Sequence, residues 1–278
     1  MATRPSKTRL EPRPIEAYLR LSRGYRNPLR FCSSRACCVY TRVCRLQREQ
    51  FKNALIFDLD NTLFDRDALA RKAFVDLGFK GDLLEEMVTL DQGGNSDRLA
   101  LSARAIELLP GVWEGPEDFW DAFRFRVSDT EYDARLVGLL ERLTKSFRLG
   151  VLTNGGSENQ RRKLQGLGIE GLFDEVVISQ EVGISKPNPA IFELIVGRLG
   201  TDFSSSVLFG DSLENDCIPA LELGMDVFWV HIAVRDVAYR KELAENAVRD
   251  VACRNELSTL GELRLTESLH DELERLLS

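Results

Sequence analysis

The segment that most constrains the fold is a short apolar run, Ala54–Phe57, which ends on two aspartates. Asp58 and Asp60 follow this run, with a single leucine between them. An apolar run of this length that meets polar residues at its end is typical of a buried strand in a parallel sheet. Residues two apart on an extended chain lie on the same face, so the two carboxylates are expected to repel each other. Only a cation or a shared proton between them would relieve that repulsion, which indicates a functional site.

The remainder of the chain alternates between predicted strands and predicted helices. Further strands are predicted at 148–153, 174–179, 206–209 and 227–231. Helices of about ten residues separate them, which is the pattern of βαβ units and a parallel sheet. Residues 65–130 contain only helical patterns, so this stretch is predicted to be a helical insertion between the first two strands.

Polar residues follow three of the predicted strands, and one further loop carries an isolated lysine. The group consists of the acids Asp58, Asp60, Asp211 and Asp216, together with Thr153, Asn154 and Lys186. Because the carboxyl ends of parallel strands meet at one edge of the sheet, these side chains are expected to converge. An acidic cluster needs a cation, and oxygen ligands without nearby His or Cys favour Mg²⁺ over zinc.

This group of residues has the parts needed for phosphoryl transfer. A carboxylate beside Mg²⁺ and a fixed lysine can attack a phosphoryl group and form an acyl phosphate. A second carboxylate two residues away can protonate the leaving oxygen and then activate water. Thr153 and Asn154, next to a helix N-terminus, can donate hydrogen bonds to phosphate oxygens.

Four sequence motifs carry a resemblance to a known family. DLDNT at 58–62, LTNG at 152–155, SKPNPAIF at 185–192 and GDSLEND at 210–216 resemble the four motifs of the haloacid dehalogenase superfamily, in the family's order. The resemblance covers residues 51–234. It is closest to the helical-cap subgroup, and within it to the 5′-nucleotidase-like and sialic-acid 9-phosphatase-like phosphatases.

The resemblance implies an α/β fold, with a Rossmann-like parallel sheet core and an inserted helical cap domain. The implied domains are a basic tail at 1–50, a catalytic core at 51–64 and 146–278, and a cap at 65–145. Asp58 would be the nucleophile and Asp60 the general acid and base. The implied magnesium ligands are Asp58, the Asp60 backbone carbonyl and Asp211, supported by Asp216 directly or through water. The implied phosphate-binding residues are Thr153 and Lys186, and the Asn154 carboxamide is expected to join them.

The function expected from these residues is that of a Mg²⁺-dependent phosphatase, which hydrolyses a small phosphorylated metabolite through an aspartyl phosphate. Within the family, true dehalogenases lack a second acid two residues after the nucleophile, so Asp60 favours phosphate over halide. Three alternatives remain open: a sugar-phosphate mutase, a dehalogenase of the same fold, and a non-catalytic interaction module.

Charge is unevenly distributed and bears on the partners of the protein. Residues 1–52 carry a net charge of +10 and the remainder a net charge of −17. An acidic body argues against a nucleic-acid or anionic-membrane surface.

The Arg-rich tail at 1–50 is interpreted as a transit peptide, a disordered basic arm or sequence upstream of a misplaced start. Six cysteines in 278 residues do not make a disulfide scaffold, which favours a reducing compartment. The cytoplasm is therefore expected, or an organelle if the tail is a transit peptide, and the sequence leaves the oligomeric state open.

Overall fold

Six strands form one sheet in the part of the chain that the computed structural model describes, which comprises residues 53–230, 263–266 and 268–277. The predictions for the tail at 1–50 lie outside these residues. The strands are β1 (Ala54–Phe57), β2 (Arg148–Thr153), β3 (Glu175–Ile178), β4 (Ser206–Gly210), β5 (Asp226–Val230) and β6 (Leu263–Thr266). The first five correspond to the predicted strands, and β6 was not predicted.

The helices occupy the connections between the strands. The helices between β1 and β2 are α1 (Arg66–Asp76), α2 (Asp82–Asp91), α3 (Arg98–Leu108), α4 (Pro116–Val127) and α5 (Ala134–Leu143). Those that follow are α6 (Ser157–Leu167), α7 (Ser179–Val182), α8 (Pro189–Leu199), α9 (Ile218–Glu222) and α10 (Leu269–Leu276). A one-turn π-helix, Leu213–Cys217, leads into α9.

The order of the strands determines where a ligand can bind. The sheet runs β3-β2-β1-β4-β5-β6, and every neighbouring pair is parallel. The chain moves outwards from β1 in one direction as far as β3, then crosses to β4 on the other side. In such sheets the ligand crevice lies beyond the carboxyl ends of the strands where the direction reverses, here next to β1. The predicted α/β fold with a parallel sheet and inserted helices is confirmed.

Helices cover both faces of the sheet, which explains why its strands are almost continuously apolar. On one face, buried residues of β1, β2, β4 and β5 pack against α5, α6 and α10 in a single hydrophobic cluster. On the other face, the alternate residues of the strands pack against α8 and α9. The core is therefore a three-layer structure that holds the carboxyl ends of β1, β2 and β4 in fixed positions.

Helices α1–α4 have a hydrophobic cluster of their own. Its most deeply buried aromatic members are Phe74, Phe79, Phe119 and Phe123. Helix α5 does not belong to this cluster, because its buried leucines pack with the sheet. We therefore infer that the cap ends before α5, whereas the sequence analysis predicts its end at residue 145.

None of the helices in the described ranges combines the length and the apolar character that crossing a lipid bilayer requires.

A stack of three phenylalanine rings on neighbouring strands allows a test of the core. Phe57, Phe209 and Phe228 lie side by side in the sheet register, with ring centroids 4.9 and 4.8 Å apart. Phe209→Ala should lower the free energy of unfolding by about 3–5 kcal/mol, because it leaves a cavity at the centre of the stack. Urea titration followed by circular dichroism measures this change. Phe125→Ala, at a half-exposed position, is the control and should cost less than about 1 kcal/mol. Equal losses for the two variants would contradict the central role of the stack.

Candidate active site

All seven predicted site residues line one cavity beside the carboxyl ends of the central strands. The cavity has a volume of about 280 Å³. Asp58 and Asp60 follow β1, Thr153 and Asn154 end β2, and the other three come from loops: Lys186 before α8, and Asp211 and Asp216 after β4. The sheet thus brings together residues that are up to 158 positions apart in the sequence.

Lys186 lies between two carboxylates at the bottom of this cavity. Its ammonium donates to Asp58 Oδ1 at 2.7 Å and contacts Asp216 Oδ1 at 2.5 Å. All three side chains are buried. Burial alone disfavours the charged lysine, but the carboxylates of Asp216 and Asp58 outweigh it and raise the pKa of Lys186 above its usual value. Lys186 is therefore a fixed cation next to the predicted nucleophile.

One lysine does not balance the negative charge of the cluster. Carboxylate oxygens of Asp58, Asp211 and Asp216 all lie within 4.8 Å of one another. Burial, opposed by Lys186 and reinforced by Asp216, raises the pKa of Asp58 to about 7. Burial and the charges of Asp58 and Asp216 raise the pKa of Asp211 to about 8. Both pKa values rise because the carboxylates are buried and lie close to one another, and a further cation would oppose this rise.

The donor set of the cluster fits Mg²⁺. The cluster offers carboxylate oxygens from Asp58, Asp211 and Asp216, which are ligands that hard divalent cations prefer. A dipositive ion would also compensate the charge that Lys186 leaves unbalanced. The side chain of Asp60 is not part of this group.

Three local features of the chain place the acids that follow β4. A methyl group at Gly210 would lie 2.6 Å from the Cβ of Asp216, so glycine is required for Asp216 to come this close to the strand. The indole nitrogen of Trp229 donates to the backbone carbonyl of Asp211 at 2.7 Å. The Ser212 backbone N–H donates to Asp216 Oδ2 at 3.2 Å, which fixes the turn between the two acids.

The carboxylate of Asp60 points to helix α6 and has a different environment from that of Asp58. Lys163 Nζ donates to its two oxygens at 2.6 and 2.9 Å, and Gln160 Nε2 donates to Oδ2 at 3.0 Å. Burial alone would raise the pKa of Asp60, but the charges of Lys163 and Arg66 lower it below the usual value. The pKa values of the two acids of one motif are thus shifted in opposite directions, that of Asp60 downwards by its cationic neighbours and that of Asp58 upwards by burial.

Sequence reasoning missed Gln160 and Lys163, although a signal for them exists. Both are buried on the face of α6 that also carries Leu164 and Leu167. Polar residues at helical spacing on an otherwise apolar face require buried partners. Gln160 Nε2 donates at 2.7 Å to Thr153 Oγ1 as well, so this amide links the predicted phosphate-binding hydroxyl to Asp60.

The carboxamide of Asn154, which lines the same cavity, has its partners on the loop of Lys186. Its Nδ2 donates to the Lys186 carbonyl at 3.0 Å, and its Oδ1 accepts from the Lys186 backbone N–H at 2.9 Å. Both ends of the carboxamide are therefore used to hold the lysine loop against β2. We infer that Asn154 positions Lys186, whereas the sequence analysis expects it to contact the phosphate.

The comparisons agree with the motifs. The model of the haloacid dehalogenase-like hydrolase family matches residues 55–230. A magnesium-bound HAD-hydrolase, YfnB from Bacillus subtilis, superimposes with a TM-score of 0.61 at 20% identity, covering 82% of this chain and 99% of that chain. At this low identity, the superposition shows only that the two proteins share a fold.

Three relatives at higher identity carry the names of phosphatases or of a nucleotidase. Glyceraldehyde 3-phosphate phosphatase of Methanopyrus kandleri is 32% identical over 189 residues, which are 62% of this chain and 81% of the relative. Pyrimidine 5′-nucleotidase YjjG of Escherichia coli is 35% identical over 196 residues, covering 66% and 87%. N-acylneuraminate-9-phosphatase of Rattus norvegicus is 32% identical over 208 residues, covering 64% and 82%. The resemblance stated from the four motifs is confirmed, and the chain belongs to the haloacid dehalogenase-like hydrolases.

Proposed function

We propose that this hydrolase is a Mg²⁺-dependent phosphatase, which acts on a small phosphate monoester through an aspartyl phosphate at Asp58. The observation that carries the proposal is the contact of 2.7 Å between Asp58 and the Lys186 ammonium, inside a cluster of three carboxylates that lines a cavity. The names of the relatives, which include a sugar-phosphate phosphatase and a nucleotidase, support the same reaction class.

The first step transfers the phosphoryl group to the protein. Lys186 and the Thr153 hydroxyl bind phosphate oxygens, and a bound Mg²⁺ would neutralise the charge that accumulates on them. Lys186 holds Asp58 Oδ1, and among the described residues no side chain donates to Oδ2, so Oδ2 is the attacking atom. A bond forms between Oδ2 and phosphorus while the bond from phosphorus to the ester oxygen breaks. The departing oxygen takes a proton from Asp60.

The second step releases the phosphate. Asp60, now a carboxylate, accepts a proton from water as the water oxygen attacks phosphorus. The bond from phosphorus to Asp58 breaks, which restores the Asp58 carboxylate and gives inorganic phosphate. Lys163 and Gln160 hold Asp60 in the carboxylate form that this step requires. The same contacts make protonation of Asp60 for the first step more difficult, so the leaving group is expected to influence the rate.

The proposal is tested by phosphate release from para-nitrophenyl phosphate. The wild-type protein should turn over this substrate with Mg²⁺ and stop when EDTA is added. Asp58→Asn should abolish turnover, because the amide is not a nucleophile. Glu214→Gln, an exposed neighbour of the cluster, is the matched control and should keep full activity. Turnover that survives either EDTA or Asp58→Asn would refute the mechanism.

Magnesium binding can be measured without turnover. A ligand at about 100 times its Kd stabilises a folded protein by roughly 2.7 kcal/mol, so saturating Mg²⁺ should raise the thermal midpoint by on the order of 5 °C. Asp211→Asn should lose most of this increase, whereas its metal-free form should be at least as stable as the wild type, since one of three repelling carboxylates is gone. Differential scanning calorimetry with Glu214→Gln as control measures both effects. An undiminished Mg²⁺ response in Asp211→Asn would remove Asp211 from the metal site.

Substrates with different leaving groups test the role of Asp60. Asp60→Asn should slow single-turnover cleavage of an alkyl phosphate by about 10²–10⁴-fold, because general acid catalysis is lost. An aryl phosphate should lose much less in this step, since its phenolate leaves without a proton. The aspartyl phosphate should then accumulate, because water has lost its base, and intact-protein mass spectrometry detects the added phosphate. Asp129→Asn, at an exposed position outside the site, is the control. Equal losses for the aryl and alkyl substrates would exclude Asp60 as the acid.

A further inference from the structure

In the proposed reaction, the leaving group of the substrate would occupy the part of the cavity beyond Thr153 and Lys186. The walls of this part come from the start of α1, the loop after α2, helix α4 and the start of α6. A second anionic group on a substrate would need a cation on these walls.

Arg66 is one of two arginines on these walls, and its guanidinium is committed to a buried acid. It forms a two-point contact with Asp91, in which Nη2 donates to Oδ1 at 3.0 Å and Nη1 donates to Oδ2. The side chains of Arg66 and Asp91 are only 7% and 5% exposed. A second carboxylate, that of Asp67, lies 3.6 Å from Nη1. A methyl group at Gly94 would lie 3.1 Å from the guanidinium carbon, so the loop packs closely on this pair.

Arg124 of α4 is the other arginine, and it also has two acidic partners. Its Nε donates to Asp121 at 2.9 Å and its Nη1 donates to Glu158 at 3.3 Å. These partners are exposed, so the contacts are individually weak. A substrate anion would nevertheless have to compete with two carboxylates for this guanidinium.

The positively charged side chains at the two ends of the cavity have different partners. Among the described residues, the cations that line it are Arg66, Arg124, Lys163 and Lys186. Lys186 has a reactive role, and Lys163 holds Asp60. The two arginines at the leaving-group end are each outnumbered two to one by carboxylates. A second phosphate or a carboxylate on the substrate would therefore meet no guanidinium that is free of carboxylate partners there.

The remaining groups on these walls are neutral. The carboxamides of Asn95 and Asn159 and the partly buried indole of Trp120 line the same end of the cavity. Carboxamides both donate to and accept from hydroxyl groups, and an indole face packs against a sugar or a base.

On these grounds we infer that the substrate is a phosphate monoester whose leaving group is an uncharged, hydroxylated alcohol, such as a polyol, a sugar or a nucleoside. The inference rests on the proposed phosphatase function and narrows its substrate class. It excludes bisphosphates and phosphorylated carboxylic acids as good substrates.

Matched pairs of compounds test the inference on the full-length protein with Mg²⁺. Glycerol 3-phosphate is compared with 3-phosphoglycerate, and uridine 5′-monophosphate with orotidine 5′-monophosphate; the members of each pair differ essentially by one carboxylate. Each compound is measured as a substrate and as a competitor of para-nitrophenyl phosphate, so that poor substrates still report their affinity. The neutral member should have the higher kcat/KM or the lower inhibition constant, by about tenfold or more in at least one pair.

Removing acids near Arg124 should reduce this preference. The double variant Asp121→Asn/Glu158→Gln releases the guanidinium at an exposed site, where folding is not at risk, and should improve the carboxylate members relative to the neutral ones. Glu131→Gln/Glu141→Gln removes two exposed acids outside the cavity and should leave the ratio unchanged. Equal or better use of the carboxylate members by the wild type would overturn the substrate class alone. A wild-type protein that fails to hydrolyse any compound, the aryl phosphate included, would overturn the proposed function and this inference with it.

Discussion

The ion contact on which the site depends is that of Lys186 with Asp58 and Asp216. Three buried carboxylates within 4.8 Å of one another would repel strongly, and this lysine is the cation that the chain itself supplies. Its position requires the Asn154 carboxamide, which holds the loop by two hydrogen bonds to the Lys186 backbone. It also requires Gly210, without which Asp216 could not approach. The remaining negative charge makes a divalent cation the natural completion of the cluster.

The two aspartates of the DLDNT motif illustrate how environment separates chemical roles. Both carboxylates are deeply enclosed, and burial tends to raise the pKa of each. For Asp58 the acidic neighbours sustain that rise, whereas for Asp60 the contacts with Lys163 reverse it. The difference arises because the Asp60 side chain points to α6, away from the cluster that Asp58 shares with Asp211. Without a metal ion, the shifts run against the proposed roles, since a nucleophile must be ionised and a general acid protonated. A divalent cation beside Asp58 would lower the pKa of that carboxyl and so favour the nucleophilic form.

The sequence predicted the parallel sheet and the convergence of the strand ends because both follow from local patterns. Apolar runs that end in Asp or Thr give the strands, and the topology rules then bring Asp58, Thr153 and Asp211 to one edge. Contacts that depend on the exact direction of a side chain were beyond reach. Gln160 and Lys163 share a face of α6 with Leu164 and Leu167, which indicates that they are buried, but the sequence does not show that their partners are Asp60 and Thr153. Asn154 next to Thr153 was expected at the phosphate, since sequence cannot tell that the carboxamide meets the Lys186 backbone. The sequence places α5 in the cap for a similar reason. An amphipathic pattern shows that a helix has an apolar face, but it does not show which surface that face packs against.

The helical insertion explains why the motifs specify a reaction more clearly than a substrate. On α4, Phe119 packs into the separate hydrophobic cluster of the inserted helices and Arg124 lines the cavity, whereas Trp120 and Phe123 do both. A helix turns by about 100° per residue, so adjacent positions can serve packing and recognition independently. A substitution at Arg124 can therefore change the lining of the cavity without disturbing either the packing of these helices or the sheet. Thr153 has no such freedom, because it ends β2, whose register is fixed by both faces of the core.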